Sequence, residues 1–333
     1  MQQFAAARNP IHSGRQDGSP VNSALPMTPP RMMKFPAMIA AALAGALLLA
    51  GLLAAQQTTL PQEPLPEAEK TALLTRAVAN EKKNELAQDL FERIERREIL
   101  HSSGNPQPAQ ITTVRAIPAG TGVARLPVGP DGAPADPAAY REALQRLSRT
   151  LEWAAGDGPA QREAYARVTR KHNERISLID TAASAFVYTL ASRELRGGHV
   201  ISKVRFDPNP AFKPTSRTTS YFPKVSGFLW IDEAGGQILR IEGSLIEDIP
   251  IGLFLAKIYK GTRFAQERTE VEPGVWLPAL TEYDYSGRKL FSPFAVHERT
   301  IASRYRRIGP PGKALELIRT EIGDSGAAQA TKR

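Results

Sequence analysis

Apolar and polar residues alternate along the last third of the chain, between residues 221 and 305. In residues 239–245, apolar or small residues at every odd position alternate with Arg240, Glu242 and Ser244. A period of two residues is typical of a strand with one buried face. Because glycine-containing turns separate the successive runs, we predict a row of antiparallel strands joined by tight turns.

The same period extends this prediction toward the N-terminus. Residues 186–206 read as a hairpin that turns at Gly197-Gly198, and three short strands are predicted within residues 99–128. Residues 207–224 contain four prolines and are predicted to form a long loop. For the apolar cluster within residues 248–259, a short helix and a strand edge both fit the pattern.

Apolar residues spaced three to four apart predict helices elsewhere. One helical region begins at Glu67 and continues to Arg97, with a break or bend permitted at residues 81–85. Two more helices are predicted at 137–153 and 159–178. A short helical stretch at residues 315–322 precedes a polar end of the chain.

An unbroken apolar run extends from Ala37 to Ala55 and follows Lys34. A basic residue, an apolar stretch and a small-residue end are typical of a secretory signal peptide. The run is also about long enough to span a bilayer, so an uncleaved anchor is the alternative. Both interpretations predict a periplasmic protein, held at the inner membrane if the run is not cleaved.

These patterns divide the chain into successive regions. Residues 1–32 are predicted either as disordered or as sequence upstream of a true start at Met33, and residues 33–55 as the signal peptide or anchor. A linker at 56–66 leads to one domain at 67–308, into which the helices at 137–178 are inserted. Residues 309–333 are predicted as a largely disordered tail.

Composition narrows the chemistry. The 333 residues include no cysteine, which excludes disulfides, thiolate zinc sites, a cysteine nucleophile and acylation as a lipoprotein. Of the net charge of +9, the first 55 residues carry +3 (four basic residues against Asp17), which leaves +6 for the rest. We interpret this balance as a solvated basic surface. No lysine-rich block or basic motif interleaved with aromatics supports nucleic-acid binding.

No catalytic or metal-binding motif stands out. The sequence has no nucleophile elbow, phosphate loop or dinucleotide fingerprint. The histidines show no metal-ligand spacing; they are His12, His101, His172, His199 and His297. We therefore predict no catalytic residue, no metal and no cofactor, and do not expect an enzyme.

One segment resembles a known family. Gly227-Phe-Leu-Trp-Ile-Asp232, followed by Ile238-Leu-Arg-Ile-Glu242, is similar to the strand pair of outer-membrane lipoprotein-sorting-like proteins of the LolA- and LolB-type superfamily. Residues 260–264 and 275–278 look like uncharacterised envelope proteins of acidobacterial type, and the resemblance covers about residues 208–307. It implies an α+β fold: a curved, unclosed antiparallel β half-barrel capped by helices, with an apolar concave face.

The resemblance also implies a function. We expect an exported, non-enzymatic protein that holds a lipid or the acyl chain of a lipoprotein in an apolar concave cavity between the sheet and its helices. The alternative is a protein–protein interaction or stress-sensor module of the envelope without a bound lipid. For the aromatic residues, core packing is the competing interpretation. The candidate cavity residues are Phe228, Trp230, Leu239, Ile241, Leu253, Phe254 and Trp276.

Overall fold

One antiparallel sheet dominates the protein. The computed structural model describes residues 58–59, 65–102, 108–251 and 255–330. The strands in chain order are β1 (Thr58–Thr59), β2 (Phe91–His101), β3 (Gln110–Pro118), β4 (Val123–Pro127), β5 (Phe186–Arg196), β6 (His199–Pro208), β7 (Val225–Asp232), β8 (Gln237–Leu245), β9 (Ile249–Ile251), β10 (Ala256–Ile258), β11 (Arg263–Glu272), β12 (Val275–Lys289) and β13 (Ser292–Arg307). The α-helices are α1 (Glu67–Ala87), α2 (Pro137–Ala154), α3 (Pro159–Ala185) and α4 (Pro311–Ala330).

The strand order is β1-β5-β6-β7-β8-β11-β12-β13-β2-β3-β4, and the β9–β10 hairpin pairs with the far end of β12. Every strand pair in the described residues is antiparallel. The two outermost strands, β1 and β4, do not pair with each other there, so the sheet is unclosed. The predicted α+β fold with an unclosed antiparallel sheet and helices is confirmed.

Several local predictions are also confirmed. The strands β5 and β6 form the expected hairpin, in which Gly197 and Gly198 have φ of 57° and 85°. Such positive φ values explain why glycines occupy this turn. The described residues of the apolar cluster after residue 248 form the short strands β9 and β10. Of the two interpretations, the strand is therefore confirmed there and the short helix is wrong.

The first helix is shorter than predicted. It ends at Ala87, and after a short 3-10 turn the chain continues as β2 from Phe91. The prediction of a helix through Arg97 is therefore wrong. Arg93, Arg96 and Arg97 lie instead on β2, which is paired on both sides, with β13 and with β3. Pairing with distant strands decided between two patterns that were locally compatible.

The main core lies between the sheet and two helices. One face of β6, β7 and β8, which we call the helix face, packs against α1 and α3. Full burial of one large aliphatic side chain contributes about 1.5–3 kcal/mol. Within the predicted 207–224 loop, a 3-10 helix at Thr219–Lys224 adds Tyr221 and Phe222 to this core. The central residues of the helix face and its cover are Val204, Leu229, Ile231, Ile241, Leu73 and Ala185.

A second core joins α2 to α4. The helix α2 begins after Asp136, whose Oδ1 accepts the backbone N–H groups of Ala138 and Ala139 at 2.9 and 3.0 Å. The helix α4 runs through the segment expected to be tail, and it packs Ala314, Leu315 and Ile318 against α2. The apolar residues that α2 contributes are Leu144, Leu147 and Leu151.

The predicted signal peptide or anchor at residues 33–55 lies outside the described residues, as do residues 1–32 and most of the 56–66 linker. Among the described residues, no helix is both long and apolar enough to cross a membrane.

Candidate functional site

The face of the sheet opposite the helix face carries charged and aromatic residues, and we call it the charged face. The strand register places Arg205 of β6 beside Phe228 of β7, and Phe228 beside Glu242 of β8. Ala265 of β11 lies between Glu242 and Glu282 of β12. These residues therefore form one row across neighbouring strands. In this row Ala265 has a short side chain, and the residues beside it have long ones.

Two cations lie over the aromatic rings of this face. Lys203 Nζ is 4.3 Å from the ring centroid of Phe228 and 4.8 Å from that of Trp230. The guanidinium of Arg240 is 5.1 Å from the Trp230 ring centroid. Cation–π contacts of this kind contribute about 0.5–1 kcal/mol at exposed sites. They hold the two half-buried rings on a polar surface without a hydrophobic cover.

A cavity of about 430 Å³ opens on the charged face above β6, β7, β8, β11 and β12. Phe228 and Ala265 give it apolar wall, and the backbones of Gly227 and Gly243 contribute to its lining. Arg205 and Arg263 line it with cationic groups. The cavity therefore combines apolar surface with charged groups, as a site for an amphiphilic molecule requires.

Acidic residues line the same cavity. Glu282 is 6% exposed, and Arg299 Nε lies 3.1 Å from its carboxylate. Burial raises the pKa of Glu282, and the charge of Arg299 opposes that rise. Asp284 Oδ1 is 2.6 Å from His297 Nδ1.

The two arginines of the cavity differ in their partners. Arg205 Nε donates a hydrogen bond to Asp207 Oδ2 at 2.6 Å. Arg263 is exposed and makes no ion pair with any residue that the structure describes. Among the residues that the structure describes, the Arg263 guanidinium is therefore the cation lining this cavity that has no ionic partner, and it can meet an anionic group.

The structure separates the residues predicted to share one apolar cavity. Phe228 lines the cavity of the charged face, and Trp230 lies on the same face under Lys203 and Arg240. Ile241 is buried in the core of the helix face. The reason is the two-residue period of a strand, which points neighbouring side chains to opposite faces.

The remaining candidates lie elsewhere. Leu239 is half-buried at a β-bulge, where the β7–β8 register shifts between Trp230 and Ile231. Trp276 is half-buried at the start of β12, and its backbone N–H donates to Asn84 Oδ1 at 3.0 Å. Leu253 and Phe254 lie outside the described residues. Ligand binding by these seven residues stays a prediction.

Sequence reasoning missed most of the cavity lining. Ser226, Ser244, Arg263 and Ala265 line the cavity but were not among the candidates. The available signal was the polar half of the strand alternation. No group of three or more histidine, aspartate or glutamate residues in the described part of the chain is arranged to hold a metal ion.

Comparison with known proteins adds distant structural likenesses. No family model matches the chain, and no curated protein matches its sequence. The fold is similar to a putative outer membrane lipoprotein-sorting protein domain from Vibrio parahaemolyticus, at 11% identity and a TM-score of 0.28, over 70% of this chain and 93% of that one. It is also similar to the LolA superfamily protein NE2245 from Nitrosomonas europaea, at 9% identity and a TM-score of 0.26, over 74% and 96%.

A third solved structure is similar over a comparable span. It is a DUF1329 family protein from Desulfovibrio piger, at 9% identity and a TM-score of 0.26, over 71% of this chain and 92% of that one. At such identities and TM-scores the likeness carries no conclusion about function. Placement in an acidobacterial branch stays a prediction.

Proposed function

We propose that this chain is an exported, non-enzymatic binding protein that holds a lipid or the acyl chain of a lipoprotein in the cavity of the charged face. The main support for this proposal is the cavity itself. Its volume of about 430 Å³ falls within the range of about 300–1,000 Å³ common for small-molecule sites. Phe228 and Ala265 offer apolar contact, while Arg263 offers a charge to a head group.

The opposite side of the same strands supports this location. Phe206 and Ile231 on the helix face, and Phe222 of the 3-10 helix that packs against it, are fully buried and belong to the main core. A ligand beneath the helices would have to displace these packed side chains, at a cost of several kcal/mol. The charged face offers open volume without that cost. Export to the envelope is supported by the apolar run at residues 37–55.

The test is to express the full chain, purify it from the envelope and identify bound lipid by native mass spectrometry and organic extraction. Ala265→Phe should fill the cavity and reduce the bound lipid at least tenfold. Thr269→Phe is the matched control, because Thr269 lies on the same strand, is exposed and does not line the cavity. It should retain lipid as the wild type does.

Two results would overturn the proposal. One is a wild-type protein that is reproducibly free of lipid. The other is Ala265→Phe protein that carries as much lipid as the wild type. A stoichiometric envelope protein recovered in place of lipid would favour the alternative of an interaction or sensor module.

A further inference from the structure

The tip of the β12–β13 hairpin has an unusual turn sequence. Lys289 pairs with Ser292, so the turn consists of Leu290 and Phe291 alone. Leu290 has φ of 54°. A two-residue hairpin turn with positive φ at its first position favours glycine there, because a side chain crowds the backbone in that conformation. The conformation of the turn therefore does not explain why leucine occupies this position.

The side chains at this tip are exposed as well as apolar. Phe291 is 96% exposed and Leu290 53% exposed. Leu255, which precedes β10, is 60% exposed, and its carbonyl oxygen accepts the Leu290 backbone N–H at 2.7 Å. We call Leu255, Leu290 and Phe291 the apolar tip. Burial inside the protein does not account for these residues, so an external apolar contact is the remaining role.

The apolar tip stands on a paired scaffold. The end of β12 pairs with β13 on one side and with β10 on the other, where Ala256 lies opposite Lys289. Gly287 permits this close approach, because a Cβ there would lie 2.1 Å from the Lys257 carbonyl oxygen. The tip is thus presented by strands whose backbone hydrogen bonds are made, and it does not need to fold when it meets a partner.

The surroundings of the tip are basic. Residues 249–261 and 285–297 contain Lys257, Lys260, Arg288 and Lys289 but no aspartate or glutamate. Lys257 Nζ is paired with Asp248 at 2.6 Å. Arg288 and Lys289 form no ion pair with any residue in the described ranges. Positive charge therefore lies directly behind the apolar side chains.

We propose that the apolar tip inserts into the surface of an anionic lipid bilayer. Aromatic and aliphatic side chains in front of cations match the interface, where the rings enter the boundary of head groups and acyl chains while the cations meet phosphates. Charge complementarity selects a bilayer with anionic lipids. This docking is independent of the cavity, and a lipid-free cavity would leave it standing.

The absence of cysteine from the chain makes a direct test simple. Ser292→Cys, carrying an environment-sensitive NBD label, reports at the tip while Leu290 and Phe291 stay in place. Val187→Cys is the matched control, since Val187 is 47% exposed on β5, far along the strand order from β12. The probe is a vesicle of phosphatidylcholine with phosphatidylglycerol, with and without brominated acyl chains. Because the label reads its own surroundings, membrane contact by the N-terminal apolar run does not produce the signal.

We expect a blue shift and quenching by brominated lipid at position 292 and neither at position 187. Leu290→Gly with Phe291→Ser, a pair suited to this turn, should preserve or improve folding and reduce the insertion signal at least tenfold. Neutralising Arg288 and Lys289 with glutamine should weaken binding about fivefold per cation, since each is worth roughly 1 kcal/mol near an anionic surface. An unchanged label at 292, an equal response at 187, or an unaffected Gly-Ser variant would overturn the proposal.

Discussion

Gly227 of β7 and Gly243 of β8 are direct register partners, and the rings of Phe206 and Phe264 fill the space beside them. A Cβ on Gly243 would lie 2.2 Å from Phe264 Cζ, and a Cβ on Gly227 would lie 2.7 Å from Phe206 Cζ. The neighbouring strands thus supply aromatic cover for two positions that have no side chain. This packing lies directly beneath the candidate cavity.

Alanine at either glycine should destabilise the protein by about 1–3 kcal/mol, because the surrounding core has no room. Gly227→Ala should be the worse of the two, since its Cβ would lie 1.9 Å from the Glu242 carbonyl oxygen, which is part of a paired strand. Gly122→Ala is the control, because nothing lies within 4 Å of a Cβ there. For this control, urea unfolding should give a free energy of unfolding within about 0.5 kcal/mol of the wild-type value. Equal effects at all three positions would contradict the packing.

A buried ion pair connects α1 to the sheet. Arg268 of β11 donates to Glu81 of α1 through both terminal nitrogens, one of them at 2.6 Å, and the side chains are 8% and 14% exposed. Glu81→Leu alone should cost about 3–5 kcal/mol, because it leaves an unpaired buried guanidinium. Adding Arg268→Met should recover most of that loss. Denaturant unfolding of the two single variants and the double variant measures the coupling, and additive losses would show that the pair is not coupled.

Glu85 should make stability depend on pH. Its burial raises the pKa of the carboxyl above the ordinary range, and Arg175 only partly opposes that rise. The pKa of Glu85 is therefore higher in the folded protein than in the unfolded chain. Its contribution to the free energy of unfolding is fully present below the unfolded pKa and is lost as pH rises through the folded pKa.

Glu85→Gln removes this titration. From about pH 4 to pH 7, the free energy of unfolding of the wild type should fall relative to that of the variant. Unfolding curves for both proteins across this range give the difference directly, which cancels the titration of all other groups. A wild type that gains on the variant as pH rises would refute the expected sign.

The helix α4 offers a comparison between adjacent residues. Ile318 is 2% exposed and packs against α2, whereas Leu317 is 39% exposed. Ile318→Ala should cost about 2–5 kcal/mol through lost contacts and the cavity left behind. Leu317→Ala should cost well under 1 kcal/mol, because helix propensity favours alanine. Similar losses in thermal or urea unfolding would mean that α4 does not depend on its contact with α2.

The alternation of apolar and polar residues was enough to predict the antiparallel strands and the Gly197-Gly198 turn, because both signals are local. The end of α1 was not predictable in this way. Phe91 and Ile94 suit a helical or a strand pattern equally, and pairing with β13, about 200 residues away, selects the strand.

The candidate site shows the same limit. Alternation along β7 already places Phe228 and Trp230 together, apart from Leu229. The bulge at Leu239, however, shifts the parity of β8, and nothing in the sequence marks it. The cavity itself arises from the register of five strands, β6, β7, β8, β11 and β12, so its lining was visible only after these strands were aligned.

The contacts of helix α1 constrain the order in which the chain can fold during synthesis. It donates through Asn80 to the Gly235 carbonyl and through Lys83 to the Gly274 carbonyl, partners that lie 155 and 191 residues later. Because the chain is synthesised from its N-terminus, α1 is made long before the residues that it contacts. The buried residues of the main core extend to Phe264 of β11, so this core cannot be completed until that strand has emerged. Contacts of such sequence separation slow folding. We expect the nascent chain to pass through a long, exposed interval in which holding factors govern its yield.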